Sequence, residues 1–113
     1  MFPERFLPLT AVVFEILLAL ADGERHGYDV MQDVERRTDG QIVLHAGTLY
    51  RALSRLLDQG LIEELDERPD PGGDERRRYY RLTPLGRAVA RAEAARLTSQ
   101  VDAARRLLRG GRS

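Results

Sequence analysis

Between two short β-like runs the chain carries Pro69-Asp70-Pro71-Gly72-Gly73-Asp74, a stretch that no regular helix or strand accommodates. Each proline removes a backbone donor and fixes φ, and the paired glycines favour tight reversal of the chain. Leu61 to Glu67 alternates weakly ahead of this break. Behind it, Arg77 to Thr83 places Tyr80 and Leu82 on one face. The pattern predicts a β-hairpin. Almost everything else reads as helix, so the hairpin must pack on helices in a mainly α fold.

The helical segments follow from apolar spacing. Residues 9–21 form a first helix, with Leu9, Val12, Val13, Ile16, Leu17 and Leu20 at helical intervals and Phe14 and Leu18 making its other side apolar too. A second helix is expected over 27–38, ended by Asp39-Gly40, and a third over 46–59, ended by Gly60. Ile42-Val43-Leu44 between them reads as a brief β-like run. A long last helix is expected over 84–109, with Thr83 as N-cap, Pro84 in the first turn and a frayed tail after it. This order is that of a winged helix-turn-helix (residues 1–83) followed by a C-terminal dimerisation helix and tail (residues 84–113).

Composition narrows the function classes. At 113 residues, 42% apolar and 32% charged, the chain suits one soluble domain and is too apolar to stay disordered. Its longest apolar run, between Thr10 and Asp22 and broken only by Glu15, is too short to span a bilayer and lacks the flanks of a signal peptide, so no membrane association and a cytoplasmic location are expected. There is no cysteine, and His26 and His45 stand apart, which leaves no disulfide framework, closed transition-metal site or implied cofactor. Neither histidine has a nucleophile beside it, Gly72-Gly73 belongs to a hairpin turn, and Asp29, Asp33 and Glu35 read as a solvated helix face. An enzyme is not expected. Bases and acids balance at 18 each, so net charge is silent on nucleic acid. Every base is arginine, the side chain better suited to bidentate phosphate and guanine contacts.

The positions of those arginines carry the argument. On a wheel of roughly 3.6 residues per turn, Leu49, Leu53 and Leu56 of the third helix point inward. Thr48, Arg51, Arg55 and Asp58 occupy the opposite face, beside Ala52. Two arginines one turn apart can donate paired hydrogen bonds to guanine or grip phosphate, and the small Ala52 lets the helix come close to base edges. Arg76-Arg77-Arg78 enters the second hairpin strand as a compact positive site for a phosphate backbone or minor groove. In the last helix Ala90, Ala94, Leu97, Val101, Ala104 and Leu108 repeat as a heptad seam, flanked by Glu93, Arg96, Arg105 and Arg106. A helix this long outreaches so small a core. The seam is therefore expected to pack on a second copy, with Val12, Val13 and Ile16 of the first helix as its other surface.

Several of these pieces together resemble the PadR family of transcriptional regulators. They are His26-Gly27-Tyr28, Gly47-Thr48-Leu49-Tyr50, Leu53-Ser54-Arg55-Leu56 running into Gly60-Leu61-Ile62, and the wing ending in Tyr79-Tyr80-Arg81-Leu82-Thr83 with Gly86 after it. The single C-terminal helix is similar to the shorter subgroup of that family. The resemblance implies a homodimer on a two-fold symmetric operator, with Tyr28, Thr48, Tyr50, Arg51 and Arg55 contacting DNA and Arg76, Arg77 and Arg78 on its backbone. Some short members bind flat aromatic drugs in a pore between subunits, using a tryptophan of the last helix. This chain has no tryptophan, and Leu97 falls near the equivalent place. His45 stands where the family often has a serine or similar cap and is read as a surface residue.

The expectation is thus a dimeric repressor that binds double-stranded DNA, released by a small apolar effector held near Val12, Val13, Phe14, Leu97 and Val101. The alternative is a winged helix used for protein contacts without specific DNA binding.

Overall fold

The computed structural model describes residues 2–69 and 76–109, with the side chains at 66–69, 76 and 77 outside that description. A 3-10 turn, Pro3–Phe6, precedes helix α1 (Ala11–Ala21), strand β1 (Arg25–His26), helices α2 (Gly27–Arg37) and α3 (Ala46–Asp58), strands β2 (Ile62–Pro69) and β3 (Arg76–Leu82), and helix α4 (Pro84–Leu108). The architecture is mainly α with a small antiparallel sheet, a winged helix-turn-helix with a long last helix.

Local chemistry sets the element ends. Thr10 Oγ1 accepts from the Val13 N–H at 3.1 Å, and Thr83 Oγ1 accepts from the Gly86 N–H at 3.0 Å, so threonine caps both α1 and α4. His26 caps α2, its Nδ1 accepting from the Asp29 N–H at 3.2 Å. Gly60 takes φ +75° after α3, and the Leu61 N–H returns to the Leu56 carbonyl at 3.0 Å, the left-handed closure that glycine permits. His45, at the N-cap of α3, is exposed and makes no side-chain cap.

The sheet has order β1-β3-β2. Its third strand is Arg25–His26, paired with Tyr80 and Tyr79 of β3, and not the run Ile42-Val43-Leu44, which forms no strand. The reason lies in Thr38, whose Oγ1 takes the Ile42 N–H at 3.1 Å while donating to the Val34 carbonyl at 2.8 Å. Leu44 then buries in the core and Val43 stays exposed, so the segment serves as an anchored loop between α2 and α3.

Ile16, Leu17 and Leu20 of α1, Val30 and Val34 of α2, Leu49, Leu53 and Leu56 of α3, Tyr80 of β3 and Val89 of α4 share one core. Among the described residues, two acids are buried against it. Asp33, which the sequence places on a solvated face, is covered because Arg36 and Arg37 fold onto it, at 2.6 and 2.7 Å, where α2 meets α1. Arg37 continues to Glu15 of α1, donating to its carboxylate and to its carbonyl. The carboxylate of Asp33 is therefore a structural clamp.

Glu93, expected to flank a seam, is 2% exposed within its own chain. Arg96 donates to both of its oxygens at 2.7 and 2.8 Å, and the Leu9 N–H donates to Oε2 at 3.2 Å, so the carboxylate ties the N-terminal segment to α4. Those Arg96 hydrogen bonds hold the Glu93 carboxyl below the usual carboxylate range, outweighing burial, which pushes it up; the Leu9 N–H adds to the lowering. A lowered folded-state value contributes stability that is complete above the unfolded value and is lost as pH falls through the folded one. Glu93→Gln should accordingly melt below the parent at neutral pH, with the gap closing in acid. A gap independent of pH would reject the ion pair as its source.

Candidate DNA interface

The inward leucine stripe of α3 fixes what the helix shows outward. With Leu49, Leu53 and Leu56 wholly buried, Thr48, Arg51, Arg55 and Asp58 lie exposed on the opposite side and Ala52 is half-buried beside them. Neither arginine is paired with a carboxylate among the described residues; Arg51 has only a long 3.5 Å contact with Thr48 Oγ1. Two guanidinium groups are therefore left without a carboxylate partner among those residues.

Two tyrosines, one on α2 and one on α3, are also exposed. Tyr28, near the start of α2, is 53% exposed and Tyr50, in the first half of α3, is 46% exposed. Tyr50 also has a structural duty, because its hydroxyl end lies so close to Gly27 that a Cβ there would overlap it. Gly27 thus leaves room for the end of the Tyr50 ring, a contact between two motifs about twenty residues apart in the chain. The His26 ring stands edge-on to Tyr79, centroids 5.4 Å apart at 83°, and so couples the start of α2 to the hairpin.

In the hairpin, Arg78 is exposed, and its Nε lies 3.4 Å from a Glu64 oxygen. Arg81 pairs with Glu63 at 2.7 Å. The register sets Arg77 opposite Arg68 and Arg76 opposite Pro69, with an irregularity between Leu65 and Arg68; the side chains of Arg76 and Arg77 lie outside the described residues, as does the turn at 70–75. The two acids on the neighbouring strand are a signal that sequence reading passed over.

The residues expected at a subunit seam divide into two groups. Ile16 has no exposed surface and Ala90 almost none; both belong to the core of their own chain, because α4 lies on α1 at that level. Val12, Val13, Phe14 and Leu97 are half-buried, and Ala94, Val101, Ala104 and Leu108 are exposed. Beyond Glu93, α4 buries no residue up to Arg109, and Leu107, not anticipated from the heptad, is as exposed as Leu108. Of the residues expected around an effector, Val13 lines a groove between the N-terminal segment and α3, together with Arg51 and Arg55.

The sequence profile of the transcriptional regulator PadR-like family matches residues 16–92, from the core of α1 into the first half of α4. The chain belongs to the PadR-like family. It is a family of transcriptional regulators and not of enzymes. An uncharacterized protein X of Lysinibacillus sphaericus is 34% identical over 73 residues, 65% of this chain, and the chain spans 65% of that relative's length. A transcriptional regulator from Clostridium thermocellum has a similar structure, with 33% identity, a TM-score of 0.65, and coverage of 80% of this chain and 87% of that one. PadR of Bacillus subtilis, solved in complex with operator DNA, shares the fold at 23% identity and a TM-score of 0.64, over 74% of this chain and 47% of that one. No helix among the described residues is long and apolar enough to cross a membrane.

Proposed function

We propose that the chain binds double-stranded DNA as a sequence-specific regulator, a homodimeric repressor acting on a two-fold symmetric operator in the cytoplasm. The observation that carries this reading is the outer face of α3, where Thr48, Arg51 and Arg55 stand exposed with no carboxylate among the described residues to neutralise the arginines. Such a face offers bidentate donors to guanine edges, while Ala52 keeps its centre low. Tyr28 and Tyr50 flank it, and Arg76, Arg77 and Arg78 supply phosphate contacts from the wing. The operator complex of the similarly folded Bacillus protein supports the same reading. Release by a small apolar effector seated between subunits, against Val12, Val13, Phe14, Leu97 and Val101, belongs to this reading.

The division of labour is testable. Arg55→Ala should cost about 1–3 kcal/mol on a selected duplex and relax preference at one position of each half-site. Arg77→Ala should weaken selected and scrambled duplexes alike and flatten the salt dependence by roughly one unit per lost contact. Binding titrations of both variants on both duplexes over a salt series measure this. Equal loss on both duplexes for Arg55→Ala, with altered preference for Arg77→Ala, reverses the assignment. Failure of the parent to prefer any duplex would favour a winged helix used for protein contacts.

A further inference from the structure

Among the described residues the hairpin carries an arginine–carboxylate pair on each face of its sheet. Adjacent residues of a strand point to opposite sides, so Arg78 shares a face of β3 with Tyr80, and Arg81 shares the other with Tyr79. Tyr80 is buried in the core, which makes its face the one turned toward the helices. Glu64 stands opposite Tyr80 in the register, and Glu63 stands opposite Arg81. The Arg78–Glu64 pair, at 3.4 Å, therefore belongs to the helix side of the wing, and the Arg81–Glu63 pair, at 2.7 Å, to the outer side.

The helix-side pair gathers at the Tyr80 hydroxyl. Burial raises the Tyr80 phenol above its usual range, and Glu64 and then Tyr50 of α3 add to that, while Arg78 opposes them through its charge and a hydrogen bond. The Glu64 side chain is 33% exposed and that of Arg78 is 61% exposed. The carboxylate is thus the covered partner, and the guanidinium is the one within reach of an approaching phosphate. Such a phosphate meets an arginine that already has an acidic partner. Taking it means breaking or sharing the ion pair, and the carboxylate left behind repels the phosphate.

We propose that Glu64 is an affinity-setting residue of the DNA interface: it competes with the DNA backbone for Arg78 and so holds down the sequence-independent part of binding. This role rests on the DNA reading above. Phosphate contacts carry no sequence information, so Glu64 acts on every duplex alike and leaves the preference between duplexes unchanged. The consequence is easier release. An interface limited in this way lets go at lower salt and is held less by the many non-specific sites of a genome.

The test is a double-mutant cycle of Glu64→Gln and Arg78→Ala in the full chain, with Glu63→Gln as control. Each protein is titrated on a selected and a scrambled duplex over a salt series. Glutamine keeps the size of the side chain and a polar group beside Tyr80 while removing the charge. Glu64→Gln should tighten binding to both duplexes about three- to ten-fold, with loss of an exposed ion pair supplying up to about five-fold of that. The salt dependence should steepen by up to about one unit. In the Arg78→Ala background the same substitution should change affinity by less than about two-fold. Glu63→Gln, on the outer face, should also stay within about two-fold. Without DNA, the NMR resonance of the Arg78 Nε–H should move in Glu64→Gln and hold still in Glu63→Gln.

Weaker or unchanged binding by Glu64→Gln would overturn the proposal, as would a gain that survives Arg78→Ala or that Glu63→Gln reproduces. A gain on the selected duplex alone would overturn competition with the backbone. An Arg78 resonance indifferent to Glu64→Gln would remove the pairing on which the role depends. A parent that binds no duplex rejects the DNA reading and this role with it, whereas a parent that binds while the cycle shows no coupling rejects this role alone.

Discussion

Gly86→Ala should cost more than about 3 kcal/mol, at the upper end of overpacking substitutions. A Cβ at this position would run into the carbonyl oxygen of Leu61. That obstacle is backbone and cannot rotate aside, and it is fixed on both flanks. The Thr83 hydroxyl donates to the Gly60 carbonyl at 2.6 Å, and the Thr83 N–H donates to the Leu61 carbonyl at 3.1 Å. The first turn of α4 is therefore clamped onto the end of α3, and one methyl group must push the whole helix away. For a domain of this size the loss should lower the melting temperature by about 12 °C or more. Gly47→Ala is the control, because a Cβ there meets nothing closer than an Arg51 nitrogen at 3.5 Å. It should be neutral or raise stability by up to about 1 kcal/mol through helix propensity. Thermal unfolding followed by circular dichroism measures both. A Gly86→Ala protein that melts with the parent would mean that α4 does not sit against Leu61.

The double substitution Leu97→Asp, Val101→Asp should convert the dimer proposed above into a folded monomer. The helix α4 is 25 residues long, and at a rise of about 1.5 Å per residue it reaches roughly 37 Å. Its buried residues are Gly86, Val89, Ala90 and Glu93, all in the first half. The second half offers Val101 at 45% exposure and Leu107 and Leu108 at 74% and 75%, apolar surface that a monomer leaves in water. At a seam, two unpaired carboxylates would be stripped of water, which costs several kcal/mol. In the single chain the carboxylate replacing Val101 would face solvent, so most of that cost falls on association. Sedimentation should show the monomer mass with the helical spectrum retained. A full-strength dimer would move the interface away from this face of α4.

Much of the fold was legible in the sequence because its determinants are local. The two-residue alternation at Tyr80 and Leu82, the leucine stripe of α3, the threonine cap before Pro84 and the left-handed glycines at 40 and 60 are each settled within a few residues of chain. So is the outward face of α3, since fixing Leu49, Leu53 and Leu56 inward leaves Arg51 and Arg55 no other direction. The family resemblance adds the grouping of those pieces, and the profile match bears it out.

What the tertiary structure alone decided are matters of which distant surfaces meet. Edge pairing with β3 falls to Arg25–His26, while the Ile42 N–H is taken by the Thr38 hydroxyl and the run after it forms no strand. Burial of an acid depends on whether donors converge on it: Asp33 and Glu93 carry no mark in sequence that separates them from exposed Asp58, yet Arg37 and Arg96 fold onto them. Ile16 and Ala90 share the apolar spacing of a seam but are consumed by contact of α1 with α4 inside one chain. Gly27 and Gly86 mark close approach only once Tyr50 and Leu61 are brought against them. Periodicity and capping are properties of neighbours along the backbone, whereas burial, strand partnership and the groove beside Arg51 and Arg55 are properties of neighbours in space, which the chain acquires only when the core closes.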